Sequence, residues 1–309
     1  MLIGHQKQWN LLRKIVRREK ISHALLFSGP QNIGKMTLAM ELAKLIFCEK
    51  QNFEEKPCNN CRSCRDVQRL SHPDLTLLQP QEKVIKISQI RNLQRNLSLK
   101  PYTAPVKIGL IDDAHLMQKS AQNCLLKTLE EPKGRTLLIL ITPYPQMLFK
   151  TVLSRVQILK FSLPSQKEIE KYLSSQDIST ALAKEMSLFS FGKPGKVVEF
   201  LKNPQKLTQQ KETIRQLLNL CRSDIGQRFD YVKKMVNSSG PSSEILETWE
   251  RYFRKILLSK IKGPQKNILT NLPSEKLKDI LKTLETTNFL IKTTNINQRL
   301  ALENLMLKL

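Results

Sequence analysis

Over the first half of the chain, short unbroken apolar runs alternate with stretches where apolar residues recur every three or four positions. Residues 24–27, 75–78, 106–111, 136–141 and 156–161 are runs of strand length, apolar enough to be buried on both faces. Trp9, Leu12, Ile15 and Val16 have helical spacing, as do Leu38, Leu42, Leu45 and Ile46, and Ile87, Ile90, Leu93 and Leu97. Residues 121–131 continue the pattern until Pro132 stops it. Strands alternating with helices predict a parallel sheet with helices on both faces, an α/β domain over residues 1–163. After Pro164 the strand pattern ends. Residues 165–174 and 180–191 read as short helices, and the string Gly192-Lys193-Pro194-Gly195 breaks before a third. Those residues, 164–205, make a small helical domain. Residues 206–309 are helical throughout, with apolar faces at Leu217, Leu218 and Leu220, at Ile245, Leu246, Trp249, Phe253, Ile256 and Leu257, and at Leu277, Ile280, Leu281 and Leu284. Gly240-Pro241 and Gly263-Pro264 punctuate them.

Composition changes this picture little: 309 residues leave room for two or three domains, and 40% hydrophobic with 25% charged residues is ordinary for a globular chain. No apolar run approaches the ~18 residues of a membrane span. The amphipathic N-terminus has neither the apolar core nor the cleavage site of a signal peptide, so a cytoplasmic protein with no membrane partner is expected. The net charge of +24 is spread along the chain. Such a surface favours work beside nucleic acid, through phosphates, since no aromatic cluster offers a stacking platform.

The first candidate chemistry is the loop Gly29-Pro30-Gln31-Asn32-Ile33-Gly34-Lys35-Met36, between the strand at 24–27 and a helix from Thr37. Strand, Gly-rich turn and helix form the context of a phosphate-binding P-loop. Gly29 and Gly34 let the backbone approach phosphate, helix N-terminal amides point at the anion, and Lys35 can reach the terminal phosphates of ATP. The same residues would also serve a turn that holds no ligand. Met36 stands where Mg²⁺ needs a Ser or Thr hydroxyl; its thioether is a soft ligand and the ion prefers hard oxygen. Thr37 points about 100° away around the helix. Nucleotide binding without hydrolysis is therefore expected. Asp112 and Asp113, at the tip of the 106–111 strand, sit where α/β sheets bind ligands. Asp112 could hold Mg²⁺ through water; Asp113 stands for the usual, longer Glu that activates water. Thr142, at the tip of the next strand, is a candidate sensor of the γ-phosphate.

Four of the six cysteines, Cys48, Cys58, Cys61 and Cys64, fall within 17 residues. In a reducing compartment clustered thiols read as metal ligands before disulfides. Two overlapping CxxC steps plus an upstream cysteine can wrap one tetrahedral, structural Zn²⁺. A bacterial ferredoxin run needs a further cysteine where Gln68 stands. Cys124 and Cys221 are isolated and read as core residues.

These pieces, in this order, resemble the clamp-loader subunits of bacterial DNA polymerase III, which are AAA+ proteins. The resemblance runs from residues 23–30 through the cysteine module, the acidic strand, the string Leu125-Leu126-Lys127-Thr128-Leu129-Glu130-Glu131-Pro132 and Ser154-Arg155, and extends faintly to residues 300–305. It implies an AAA+ domain with a zinc module at 48–70, a helical lid, and a helical collar for oligomerisation. It implies a hetero-pentamer with tau/gamma and delta subunits that places a sliding clamp on primed DNA. With Ser71-His72-Pro73-Asp74, its length and imperfect ATPase residues, the chain is most similar to the loader member that does not hydrolyse ATP. That member supplies an arginine finger, here Arg155, to a neighbour's ATP site. Val156 replaces the cysteine of the family's Ser-Arg-Cys motif, and the Gly192–Gly195 string lacks the family's second-sensor Arg. An active tau/gamma-type ATPase is the alternative. A helicase is the other, since Asp112-Asp113-Ala114-His115 is similar to a D-E-A-H box; an all-helical 164–309 offers no second motor domain.

Overall fold

The computed structural model describes residues 3–132, 134–176, 178–237, 242–262, 273–294 and 296–309. The Gly240-Pro241 and Gly263-Pro264 breaks lie outside the described residues. The chain divides into two compact units, residues 1–197 and 198–309.

In the first unit α1 (Gln6–Arg17) precedes β1 (Ala24–Ser28), α2 (Lys35–Phe47), α3 (Arg62–Gln68), β2 (Leu75–Leu78), α4 (Ile87–Ser98), β3 (Lys107–Ile111), α5 (Lys119–Glu130), β4 (Thr136–Thr142), α6 (Lys150–Leu153) and β5 (Gln157–Lys160). The five strands form one sheet in the order β2-β3-β4-β1-β5, every pairing parallel. Period-two alternation sends their side chains to two cores. Leu25, Phe27, Ile108, Leu110, Ile139 and Ile141 meet α1 and α2 on one face. Ala24, Leu26, Ile111, Leu138 and Leu140 meet α4 and α5 on the other. Each fully buried Leu or Phe contributes about 1.5–3 kcal/mol, so a charge at Leu26 would undo the sheet's centre. Gly109 lets α4 lie close: a Cβ there would meet Leu93, Leu97 and Leu138 at 3.2–3.3 Å. The last strand, one of the sheet's two edges, is shorter than expected and largely exposed.

Three helices follow: α7 (Gln166–Ser174), α8 (Thr180–Ser190) and α9 (Pro194–Lys202), the unit boundary falling within α9. A capping box starts α7: Glu168 donates its amide to the Ser165 hydroxyl and its carboxylate accepts from the Ser165 amide. Pro194 and Gly195, expected as a break, are instead the first residues of α9, where proline's missing N–H costs nothing.

The second unit holds α10 (Gln205–Leu220), α11 (Ile225–Asn237), α12 (Ser242–Lys262), α13 (Ser274–Thr293) and α14 (Gln298–Met306). The apolar faces read from the sequence converge on one core around Trp249, Phe253, Leu277 and Leu284, joined by Leu302, Leu305 and Met306. Among the described residues no helix is long and apolar enough to cross a membrane.

Candidate nucleotide site, cysteine cluster and surface arginine

The tips of β1, β4 and β3 carry Gly29, Thr142 and Asp112 side by side, because β4 pairs with both neighbours in register, Ser28 opposite Thr142 and Ile111 opposite Leu140. The loop after β1 is tightly held. Gly29 has φ +157°, and a Cβ there would sit 2.4 Å from the Phe161 carbonyl. Gly34, at φ +99°, caps α2 in a left-handed conformation. The Lys35 ammonium is buried and donates to the carbonyls of Gly29 and Pro30 at 2.7 and 2.6 Å. Burial pushes its pKa down to about 8, opposed by Asp113 and Asp112 and helped by Lys193. Asp112 moves the other way: burial and the adjacent Asp113 raise it. Asp113 is in a left-handed turn, donates its amide to the Asp112 carboxylate at 3.1 Å, and lies 3.9 Å from the His115 ring. Thr142 is buried, and its hydroxyl accepts from the Tyr144 amide at 3.0 Å. Met36 packs against the apolar core beside α2, while Thr37 is exposed.

Two further contacts hold the loop, and sequence reading missed both. His5 donates from Nε2 to the Ile33 carbonyl at 2.7 Å and stands edge-on to Phe161. The Gly195 amide donates to the Asn32 carbonyl at 3.0 Å, and a Cβ at Gly195 would crowd that oxygen. Their signals were slight: a histidine ahead of the first helix, and a glycine just after a proline.

The cluster of Cys48, Cys58, Cys61 and Cys64 is assembled as its spacing implies, all four Sγ atoms within 4.8 Å of one another. A tetrahedral ion with Zn–S bonds of about 2.3 Å needs sulfurs about 3.8 Å apart, so a small contraction would close the site. The Cys61 amide donates to Cys58 Sγ and the Cys64 amide to Cys61 Sγ. Amides of Asn60 and Cys61 draw the Cys58 thiol down to about 6, whereas burial and the neighbouring Cys61 push Cys64 up. Thiolates this close repel, so deprotonating the set calls for a cation at its centre. The donor set fits a metal ion.

Arg155 follows α6 on the surface, with 36% of its side chain exposed. Its guanidinium pairs with Glu130 at 2.8 Å and donates to the Thr151 carbonyl at 3.0 Å and the Ser154 hydroxyl at 3.3 Å. His72 and Asp74 are structural. His72 stacks on Phe47 and accepts from the Asp74 amide; the buried Asp74 carboxylate accepts three successive amides.

The family described as DNA polymerase III, delta subunit matches residues 4–165. The delta-prime subunit of DNA polymerase III from Bacillus subtilis is 34% identical over 223 residues, covering 72% of this chain and 67% of that one. Its counterpart from Haemophilus influenzae is 32% identical over 63% of this chain and 59% of its own length. The tau subunit of Bacillus subtilis is 32% identical over 52% of this chain, which spans 28% of tau. A solved gamma subunit-related protein from Thermotoga maritima shares the AAA+ fold over 97% of each chain, with a TM-score of 0.53 and 18% identity. The chain belongs to the DNA polymerase III delta-subunit family, as a clamp-loader subunit of the delta-prime kind.

Proposed function

We propose that the protein is the non-hydrolysing subunit of a cytoplasmic clamp loader, assembling with tau/gamma and delta subunits to place a sliding clamp on primed DNA. In this reading residues 1–163 are the AAA+ domain, 164–205 the lid and 206–309 the oligomerising collar. Cys48, Cys58, Cys61 and Cys64 hold one structural Zn²⁺, which would staple the 48–70 insertion. The observation that carries the reading is Met36. Its half-buried thioether packs against the apolar core at the position after Lys35, where a Mg²⁺-binding hydroxyl is expected, and the next residue, Thr37, is exposed. Lys35 and the loop amides can still hold ATP without the Mg²⁺ geometry that cleavage needs.

Arg155 would act on a neighbour's γ-phosphate. Its guanidinium is displayed on the surface, and the contacts to Glu130, Thr151 and Ser154 pre-orient the fork. A planar, permanent cation suits the charge that develops in phosphoryl transfer. The tau relative keeps an active tau/gamma-type ATPase as the second reading. Turnover by the isolated protein separates the two: negligible hydrolysis supports the first, and motor-like hydrolysis abolished by Lys35→Ala refutes it.

A further inference from the structure

We propose that Lys44 is an outer-sphere positioning residue of the four-cysteine site, tying the Cys58–Cys64 turn to the helix that begins at the P-loop. The inference rests on reading the cluster as a metal site. Helix α2 starts with Lys35 and ends at Cys48, which caps it, so one rod joins the two regions. Lys44 lies one turn before Cys48 and its side chain is only 8% exposed. A lysine that buried must have a specific partner. It has two: its ammonium donates to Glu41 Oε1 at 3.0 Å and to Asn59 Oδ1 at 3.1 Å.

Asn59 stands between Cys58 and Cys61, at φ +59°. That left-handed step turns the chain so that both sulfurs face one point, and the amide of Cys61 reaches Cys58 Sγ. The Lys44 bond therefore fixes the turn that sets the geometry of two ligands. The backbone of the same residue touches the other two. Its carbonyl accepts the Cys48 amide at 2.9 Å and lies 3.9 Å from Cys64 Sγ. Charge acts in the same direction. Four thiolates around a divalent ion leave two negative charges, and a nearby ammonium offsets them, although Glu41 cancels part of this. Positioning is the larger contribution.

The test measures Zn²⁺ affinity by competition with a chromophoric chelator, and Co²⁺ absorption as a signature of tetrahedral thiolate geometry, on the full chain. Lys44→Met keeps the aliphatic stem; Asn59→Gly keeps the left-handed turn and removes the acceptor. Each should weaken Zn²⁺ binding by about 10–100-fold, the usual cost of losing an outer-sphere partner. The double variant should be no weaker than the worse single one, because Lys44→Met and Asn59→Gly break the same Lys44–Asn59 bond. Zinc-saturated variants should unfold near the wild-type temperature. Unchanged affinity, or losses that multiply in the double variant, overturns the inference. If Lys44→Met does not fold, Asn59→Gly, which leaves α2 intact, decides alone. A wild-type protein that takes up less than one equivalent of Zn²⁺ defeats the metal reading itself; one equivalent bound equally well by all variants defeats only the role of Lys44.

Discussion

Replacing Asp74 by Asn should destabilise the α/β unit out of proportion to the change of one atom. The side chain of Asp74 is fully buried. One carboxylate oxygen accepts the Tyr102 amide at 2.7 Å, and the other accepts those of Thr103 and Ala104 at 2.9 and 3.0 Å. The Lys107 ammonium, itself nearly buried, lies 3.5 Å away. An asparagine has a single acceptor oxygen. Whichever way it turns, its NH₂ faces at least one N–H donor, and Lys107 loses its counter-charge. One buried amide left unsatisfied costs about 1–3 kcal/mol, and a stranded ammonium adds to it, so about 3 kcal/mol is expected. For a unit of this size that is roughly 6–12 °C in Tm. Circular dichroism melts give the shift, and hydrogen exchange at residues 102–104 localises it. A Tm within about 1 °C of wild type, with those amides equally protected, would refute the reasoning. The pH dependence has a definite sign. Burial alone would raise the Asp74 pKa, but the three amides and Lys107 outweigh it and hold it below the ordinary value. A group depressed in the folded state contributes stability above its unfolded pKa of about 3.9, and loses it as pH falls through the folded value. Wild type should therefore lose more stability than Asp74→Asn on acidification below about pH 4.

The isolated protein should turn over ATP negligibly in a phosphate-release assay, and Lys35→Ala should leave that baseline unchanged. Arg155→Ala or Arg155→Lys in a reconstituted loader should leave assembly intact and lower clamp- and DNA-stimulated ATPase partially, with a larger loss in clamp loading; fingers of this kind are worth ~10³–10⁵ at the site they face. Unchanged ATPase and loading would exclude the role, and failed assembly would point to a structural one. Purified protein should carry one equivalent of zinc, and Cys61→Ser should raise hydrogen exchange across residues 48–70 without lowering the melting of the sheet; freely titratable thiols in metal-replete protein would count against the site.

The sheet was legible because its strands are buried on both faces. A continuous apolar run between helical patterns has few folds open to it, and Leu25, Leu110 and Ile139 had nowhere to go but a covered parallel sheet. Of the two edge strands, β5 was the less legible, since Ile158 looks like a core residue but is exposed, while Leu159 packs against the core. The start of α9 was missed for a local reason: Gly-Lys-Pro-Gly spells a turn, and only the rest of the fold tells the chain to enter a helix at the proline.

The same distinction runs through the site. Spacing along the chain revealed the cysteines, because local turns bring CxxC sulfurs together. The apolar runs likewise placed Asp112 and Thr142 at neighbouring strand tips, because parallel register aligns those tips. Spacing could not reveal His5 or Gly195, whose bonds to Ile33 and Asn32 depend on where distant segments come to rest. Those contacts bear on the proposed function. Gly29, Pro30, Asn32 and Ile33 all have carbonyls that accept protein hydrogen bonds, so the loop's shape is set by partners from the N-terminus, from Lys35 and from the start of α9. A motor must couple phosphate chemistry to motion of the helices beyond its sheet, and that coupling needs a loop that responds to the nucleotide. Here Gly195 ties α9 to the loop through the backbone, and Met36 packs against the core beside α2. A loop held in this way suits a subunit that presents Arg155 to a partner better than one that cycles.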